Sequence, residues 1–123
     1  MNICILGDAK VGKTTFARKI QINHRIHVWD NTRPRTVDLY IVLYDITNLQ
    51  SFAHAKELIE KLNGGPIVAL VGNKTDLTTF LYTERVVEYN EGSKVTENFF
   101  EVSAKTEPVD FIIRALLQTK TMP

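Results

Sequence analysis

One stretch near the start of this chain constrains its fold more than any other: residues 7–14, Gly-Asp-Ala-Lys-Val-Gly-Lys-Thr. It matches the pattern G-x-x-x-x-G-K-[ST] without a mismatch. An apolar run, Ile3 to Leu6, precedes it, and a helical pattern begins near Lys13. Glycines let consecutive backbone N–H groups point at one anion, and the following helix adds its positive end. The context predicts a strand, a phosphate-binding loop and a helix; the alternative is a glycine-rich turn that binds nothing.

Two side chains of this loop have predicted roles in phosphate chemistry. Lys13 would reach the outer phosphates of a nucleotide, and the Thr14 hydroxyl would ligate Mg²⁺. For Lys10, a solvent-facing position is favoured over a catalytic one. The residues predicted to surround the phosphates are Gly7, Ala9, Lys10, Val11, Gly12, Lys13, Thr14 and Thr15.

The composition indicates one ordinary globular domain, residues 1–123. Hydrophobic residues make up 44% and charged residues 24%, and a net charge of +1 gives no electrostatic argument for binding nucleic acid or an anionic membrane. A single cysteine, Cys4, excludes a disulfide within the chain and fits a reducing compartment. No signal peptide, long apolar run or C-terminal cysteine for lipidation is seen. We therefore expect a cytoplasmic protein without a lipid anchor.

Apolar periodicity predicts alternating strands and helices. The predicted strands are residues 2–6, 24–29, 39–44, 67–71 and 99–102, and the predicted helices are residues 14–23, 52–63, 83–91 and 108–118. Asn48 or Ser51 would cap the second helix, Thr83 would cap the third with Val86 and Val87 inward, and Pro108 would open the fourth. This alternation predicts an α/β fold with a doubly wound, three-layer architecture: about five parallel strands with helices on both faces. Its ligand would lie at the carboxyl ends of the strands.

Two further motifs follow predicted strands on that edge. Asn73-Lys74-Thr75-Asp76 and Ser103-Ala104-Lys105 resemble the base-reading motifs N-K-x-D and S-A-K of Ras-like small GTPases. A carboxylate such as Asp76 can accept hydrogen bonds from both the N1–H and the exocyclic amine of guanine, which adenine does not offer in that arrangement. Taken singly, the first motif could be a surface turn and the second a helix start. The predicted guanine-binding residues are Asn73, Lys74, Asp76, Ser103, Ala104 and Lys105.

The resemblance to the Ras and Rab branch covers nearly the whole chain, including residues 28–30, 43–48 and 70–74. It implies a guanine nucleotide, GTP or GDP, as ligand and Mg²⁺ as cofactor, with Thr14 and Asp30 as metal-site residues, the latter through water. It also implies that Asn73 ties the loops together, that the Lys74 stem covers the base, and that the Ala104 N–H meets the guanine carbonyl.

The chain departs from the family pattern where hydrolysis is organised. There is no room for the first switch loop and its threonine, and Asp30-Asn31-Thr32-Arg33-Pro34 replaces the D-x-x-G-Q pattern. Only eight residues separate Asp30 from Leu39, so most of the second switch, including its helix, is missing as well. The resemblance therefore implies nucleotide binding with slow or impaired GTP hydrolysis. The alternative is a non-hydrolysing pseudo-GTPase that acts as a protein-interaction module. An ATP-using phosphotransferase is disfavoured by Asp76.

Two weaker expectations concern the segment around residues 24–40. Arg33 and Arg35 could stabilise charge on the phosphates, although solvated loop arginines are the favoured interpretation. The lost family strand would leave the strand at Ile26–Trp29 on the sheet border, open to a protein partner or to self-association, unless His24, Arg25 and His27 blunt that edge. We also expect poorly protected apolar surface near Trp29 and Tyr40.

Overall fold

Strands and helices alternate along the chain in a computed structural model that describes residues 2–20, 25–28, 36–62, 66–73 and 85–121, with only the backbone described for residues 118–121. The elements in chain order are β1 (Asn2–Leu6), α1 (Lys13–Arg18), β2 (Arg25–Val28), β3 (Leu39–Asp45), α2 (Leu49–Lys61), β4 (Ile67–Asn73), α3 (Tyr89–Ser93), β5 (Phe99–Glu101) and α4 (Asp110–Thr121). None of the described helices is long and apolar enough to cross a membrane.

The strands form a parallel sheet in the order β2-β1-β3-β4-β5. The sheet confirms the predicted α/β fold and places β2 at its border. Because the chain leaves β1 toward β2 on one side and reaches β3 on the other, the carboxyl ends of β1 and β3 flank a topological switch point. Leu6 of β1 lies opposite Val42 of β3. The stretch 7–14 therefore emerges at the position where a doubly wound sheet binds its ligand.

Each face of the sheet has its own apolar core, because residues alternate between faces along a strand. One core joins β1, β3 and β4 to Phe16 of α1 and to Ile112 and Ile113 of α4. The other joins the opposite faces of those strands to Phe52 and Ala55 of α2. The strand residues of this second core include Cys4, Leu6, Tyr40, Val42, Tyr44 and Leu70.

The expectation of poorly protected surface near Tyr40 is wrong. Tyr40 is 2% exposed, and partly buried residues that include Val37, Leu58 and Leu62 pack against its core. Helix α2 and the segment before β3 thus cover this face of the sheet without the missing switch helix. Trp29, the other residue of that expectation, lies outside the described residues.

Helix α2 begins earlier than predicted, at Leu49, and Asn48 is its cap. The Asn48 side chain accepts a hydrogen bond from the Ser51 N–H at 3.0 Å, which satisfies one of the donors left open in a first helical turn. Ser51 instead lies inside the helix, where its hydroxyl donates to the Asn48 carbonyl at 2.7 Å. The first of the two predicted caps is the one used.

The prediction for the third helix is wrong at its start. Helix α3 begins at Tyr89, where Glu88 and Glu91 form a capping box, and the described residues before it are not helical. The N–H groups of Val86 and Val87 both donate to the Ile46 carbonyl, at 2.9 and 3.0 Å. These two hydrogen bonds hold residues 86–87 across the end of β3, so Val87 is buried while Val86 is 48% exposed.

Two other helix ends also differ from the predictions. Helix α1 ends at Arg18, where the Lys19 N–H is shared between the carbonyls of Thr15 and Phe16 at 3.3 and 3.1 Å; such sharing is common where a helix terminates. Helix α4 begins at Asp110, two residues after Pro108. Residues 21–23, Thr83 and His24 lie outside the described residues.

Candidate functional site

The backbone of the stretch 7–14 has the conformation that its glycines predict. Gly7 and Gly12 have φ values of 147° and 97°, a region that side chains disfavour. A Cβ atom on Gly7 would lie 2.5 Å from the Leu43 carbonyl oxygen, and one on Gly12 would clash with the Asn73 amide nitrogen. Both positions therefore require glycine for packing as well as for backbone conformation.

The Lys13 side chain folds back over this loop. Its ammonium donates hydrogen bonds to the carbonyl oxygens of Gly7 at 2.6 Å and Asp8 at 3.0 Å. Partial burial lowers the pKa of Lys13, and the negative charge of Asp8 opposes that shift. The Lys13 ammonium is thus held against the backbone of the loop.

The other predicted phosphate-binding residues divide into core and surface positions. The Val11 side chain is buried in the core, whereas Ala9, Lys10, Thr14 and Thr15 are exposed. Lys10 agrees with the favoured solvent-facing interpretation, and its φ of 67° is left-handed. The set is completed by Gly7, Gly12 and Lys13, described above.

Asn73, at the end of β4, connects two loops. Its amide nitrogen donates to the Val11 carbonyl at 2.8 Å, and its amide oxygen accepts from the Ala104 N–H at 2.9 Å. The side chain is 3% exposed, so both bonds are shielded from water. These contacts bring the ends of β1, β4 and β5 into one connected structure.

The segment Ser103–Lys105 forms a tight turn after β5. The Ser103 carbonyl accepts from the N–H groups of Thr106 and Glu107 at 3.0 and 2.8 Å, and the Ser103 N–H donates to the Glu107 carboxylate at 2.8 Å. Ser103 and Ala104 are buried, while Lys105 is exposed. The turn is therefore fixed by its own backbone and by Asn73.

Several predicted site residues cannot be placed in this geometry. Those outside the described residues are Asp30, Arg33, Arg35, Lys74 and Asp76. Within residues 2–20, 25–28, 36–62, 66–73 and 85–121, no group of three or more His, Cys, Asp or Glu residues could hold a metal ion. Mg²⁺ bound to a nucleotide needs no such group, because phosphates and waters supply most of its ligands. The exposed Thr14 hydroxyl at the start of α1 fits that kind of site.

One contact of the loop has no signal in the sequence. The His54 imidazole of α2 lies 2.7 Å from the Asp8 carboxylate, measured from Nδ1 to Oδ2. The two residues are 46 positions apart, and neither belongs to a metal-ligand or catalytic pattern. Only the packing of α2 against β3 and β4 brings them together.

A cavity of about 630 Å³ opens beside the same loop. Asp8 and Lys13 contribute its polar lining, and Val28 at the end of β2 and Leu58 of α2 contribute apolar lining. The loop therefore borders a space large enough for a small ligand.

Comparison with known proteins identifies the family. The sequence profile of the Ras family matches residues 23–119. The chain belongs to the Ras family. The Ras-related protein RabC of Dictyostelium discoideum is 34% identical over a 92-residue alignment that covers 64% of this chain and 45% of that relative. The chain thus spans less than half the length of this curated relative, and the predicted resemblance to the Ras and Rab branch is confirmed.

The family match and the phosphate-loop pattern are separate observations. The profile begins at residue 23, after the stretch 7–14, and so the loop's match to G-x-x-x-x-G-K-[ST] does not contribute to it. This member of the Ras family therefore also has, before the residues that match the profile, a loop with the phosphate-binding pattern.

Proposed function

We propose that this chain binds guanine nucleotides, GDP or GTP, together with Mg²⁺, at the carboxyl edge of its sheet. The observation that carries the proposal is the pair of hydrogen bonds from Asn73 to Val11 and Ala104. They join the phosphate-loop motif to the S-A-K motif in one buried connection. Membership of the Ras family supports the same ligand.

In this proposal the phosphates lie against the backbone of residues 7–15, with the Lys13 ammonium beside them. Bound Mg²⁺ would neutralise phosphate charge, held by the Thr14 hydroxyl and, through water, by Asp30. Asp76 would read the guanine base, while Lys74, Ser103, Ala104 and Lys105 would complete its pocket.

Binding is tested by titrating nucleotide-free protein with GDP in the presence and absence of Mg²⁺. Lys13→Ala should weaken binding in both conditions, and Thr14→Ala should weaken it chiefly when Mg²⁺ is present. Lys94→Ala removes a lysine that is exposed and distant in sequence from these motifs, and Thr14→Ser keeps the hydroxyl; both controls should bind as the parent does. Parent-like affinity in Lys13→Ala and Thr14→Ala would refute the placement of the phosphates.

Base recognition has its own test at Asp76. Replacement by asparagine exchanges one acceptor for a donor, so Asp76→Asn should lose affinity for guanine nucleotides and gain affinity for xanthine nucleotides. Unchanged preference for guanine in this variant would remove Asp76 from the base-reading role.

We further propose that hydrolysis is slow or impaired, at or below the order of 10⁻⁴ s⁻¹. The supporting observation is the sequence after Asp30, which lacks the glutamine that positions water in the D-x-x-G-Q pattern. The second candidate function, a pseudo-GTPase that acts as an interaction module, rests on the same absence. Single-turnover phosphate release with Mg²⁺ separates the two. A rate of several per second would contradict both and would direct attention to Arg33 and Arg35.

We also propose a protein-binding role for the border of the sheet. Among the described strands, β2 pairs with β1 alone, as expected for an edge. Solution sizing of the parent and of Val28→Pro tests self-association through it, and a parent that stays monomeric at high micromolar concentration would contradict that role.

Buried Cys4 agrees with the proposed cytoplasmic location.

A further inference from the structure

The contact between His54 and Asp8 joins helix α2 to the phosphate loop. Its 2.7 Å length is that of a hydrogen bond in which the imidazole Nδ1–H donates to a carboxylate oxygen. The side chains are 43% and 35% exposed, so the imidazole can exchange protons with water. The hydrogen bond therefore has a defined donor and acceptor, and its imidazole is accessible to solvent.

Asp8 is held at two points. Its carbonyl oxygen accepts from the Lys13 ammonium at 3.0 Å, and its carboxylate accepts from His54. Asp8 follows Gly7 and precedes Ala9 in the loop, so fixing Asp8 also fixes the peptide units on either side of it. These units belong to the backbone that would surround the phosphates.

We propose that His54 is a positioning residue of the phosphate loop, and that protonation of its imidazole strengthens nucleotide binding. This inference rests on the proposed function. A neutral imidazole orients Asp8 but leaves a full negative charge beside the bound anion. An imidazolium cancels that charge and makes the hydrogen bond one between two ionised partners.

The charged groups nearest to His54 and Asp8 along the chain do not remove the dependence of nucleotide binding on the protonation of His54. Among the described residues, Lys13 of α1 and Lys10 of the loop are cations whose side-chain type titrates well above the physiological range. Glu57 lies three positions after His54 in α2 and is exposed to water, which screens its charge. Histidine is the side chain whose ordinary pKa places its charge change between pH 5 and 8.

The size of the effect follows from the exposure of the pair. Exposed ion pairs contribute little, and we expect GDP to bind about two- to fivefold more tightly at pH 5.5 than at pH 8 on account of His54. By reciprocity, bound GDP must raise the pKa of His54.

The test measures the dissociation constant of GDP with Mg²⁺ between pH 5.5 and 8 for the parent, His54→Gln and His27→Gln. GDP's own titration is common to all three proteins, so the variants are compared with the parent at each pH. The glutamine side chain is a neutral donor that cannot be protonated in this range, so His54→Gln should lose the two- to fivefold gain at low pH. His27→Gln removes the histidine of β2 and should keep the gain in GDP affinity at low pH. An identical pH profile in the parent and in His54→Gln would overturn the proposal.

A second measurement uses the unmodified chain. The His54 ring resonance, assigned by its loss in His54→Gln, is titrated by NMR in the free and the GDP-bound protein. A higher pKa in the bound protein supports the proposal, and equal values overturn it. Failure of the parent to bind GDP at any pH would overturn the proposed function as well, whereas retained GDP binding with equal values overturns only the role of His54.

Discussion

Replacing Asn73 by alanine should uncouple the phosphate loop from the turn after β5. The change deletes both the donor to the Val11 carbonyl and the acceptor for the Ala104 N–H. Val11 and Ala104 are each 1% exposed, and their backbone groups would lose partners that water cannot fully replace. Asn73→Ala should therefore reduce stability and nucleotide affinity together.

The expected cost follows from these two orphaned groups. A buried polar group that loses its partner costs about 1–3 kcal/mol, so the pair costs about 2–6 kcal/mol. Water that enters the space left by the side chain would bring the cost toward the lower end. Since domains are stable by only about 5–15 kcal/mol, the change removes a large part of the total.

Urea unfolding followed by circular dichroism measures this cost. With a dependence of about 2 kcal/mol per molar urea, the middle of the usual range, the midpoint should fall by about 1–3 M. Asn98→Ala is the matched control. Among the described residues it removes a single side-chain donor bond, to the Val68 carbonyl at 3.4 Å, and it should cost less than about 1 kcal/mol. Equal and small losses in both variants would refute the argument that Asn73 holds the site together.

Three further substitutions test the packing around this site. Tyr44→Phe should raise the free energy of unfolding by about 1 kcal/mol in urea titrations, because the buried Tyr44 hydroxyl has no hydrogen-bond partner among the described residues. Arg85→Ala should cost about 1–3 kcal/mol at pH 7, since it removes the ion-pair partner of Glu101. Burial already raises the pKa of Glu101, and loss of Arg85 raises it further, so this cost, measured in urea at pH 4 and pH 7, should shrink as the pH falls through the raised folded pKa and be lost below the unfolded pKa of about 4.3. Gly12→Ala should cost about 1–3 kcal/mol through its φ of 97° and should displace Asn73, measured as lost stability and lost GDP affinity.

Each of these predictions has an outcome that contradicts it. A lower midpoint for Tyr44→Phe would show that the hydroxyl contributes favourably. A cost for Arg85→Ala that is the same at pH 4 and pH 7 would show that the charge of Glu101 is not its source. A Gly12→Ala protein with parent stability would mean that the loop relaxes without cost.

The sheet and the loop at its edge could be predicted because local signals there agree with one another. Apolar runs such as residues 39–44 are typical of strands buried on both faces, and the glycines at 7 and 12 favour one kind of turn. The edge position of β2 followed from the family resemblance, because the family strand that would cover β2 has no counterpart in this chain. The resemblance to the family supplied the linking role of Asn73, for which spacing alone has no signal.

The sequence could not predict features that depend on contacts between distant segments. Val86 and Val87 both resemble core positions of a helix, yet a shared bond to Ile46 holds them in a non-helical segment with opposite burial. The contact of His54 with Asp8 depends on how α2 lies on the sheet. A pattern within one segment contains no information about such tertiary contacts.

This member of the Ras family is proposed to bind the guanine base as well as the phosphates of its nucleotide. Calorimetric titration of the nucleotide-free chain with GDP and with ADP, both with Mg²⁺, tests it most directly. The two ligands share their phosphates and ribose, so a difference between them reports the base alone. We predict that GDP binds at least roughly 100-fold more tightly than ADP, because polar groups built to pair with one base reject another. Equal affinities for the two nucleotides, or binding of neither, would contradict the claim.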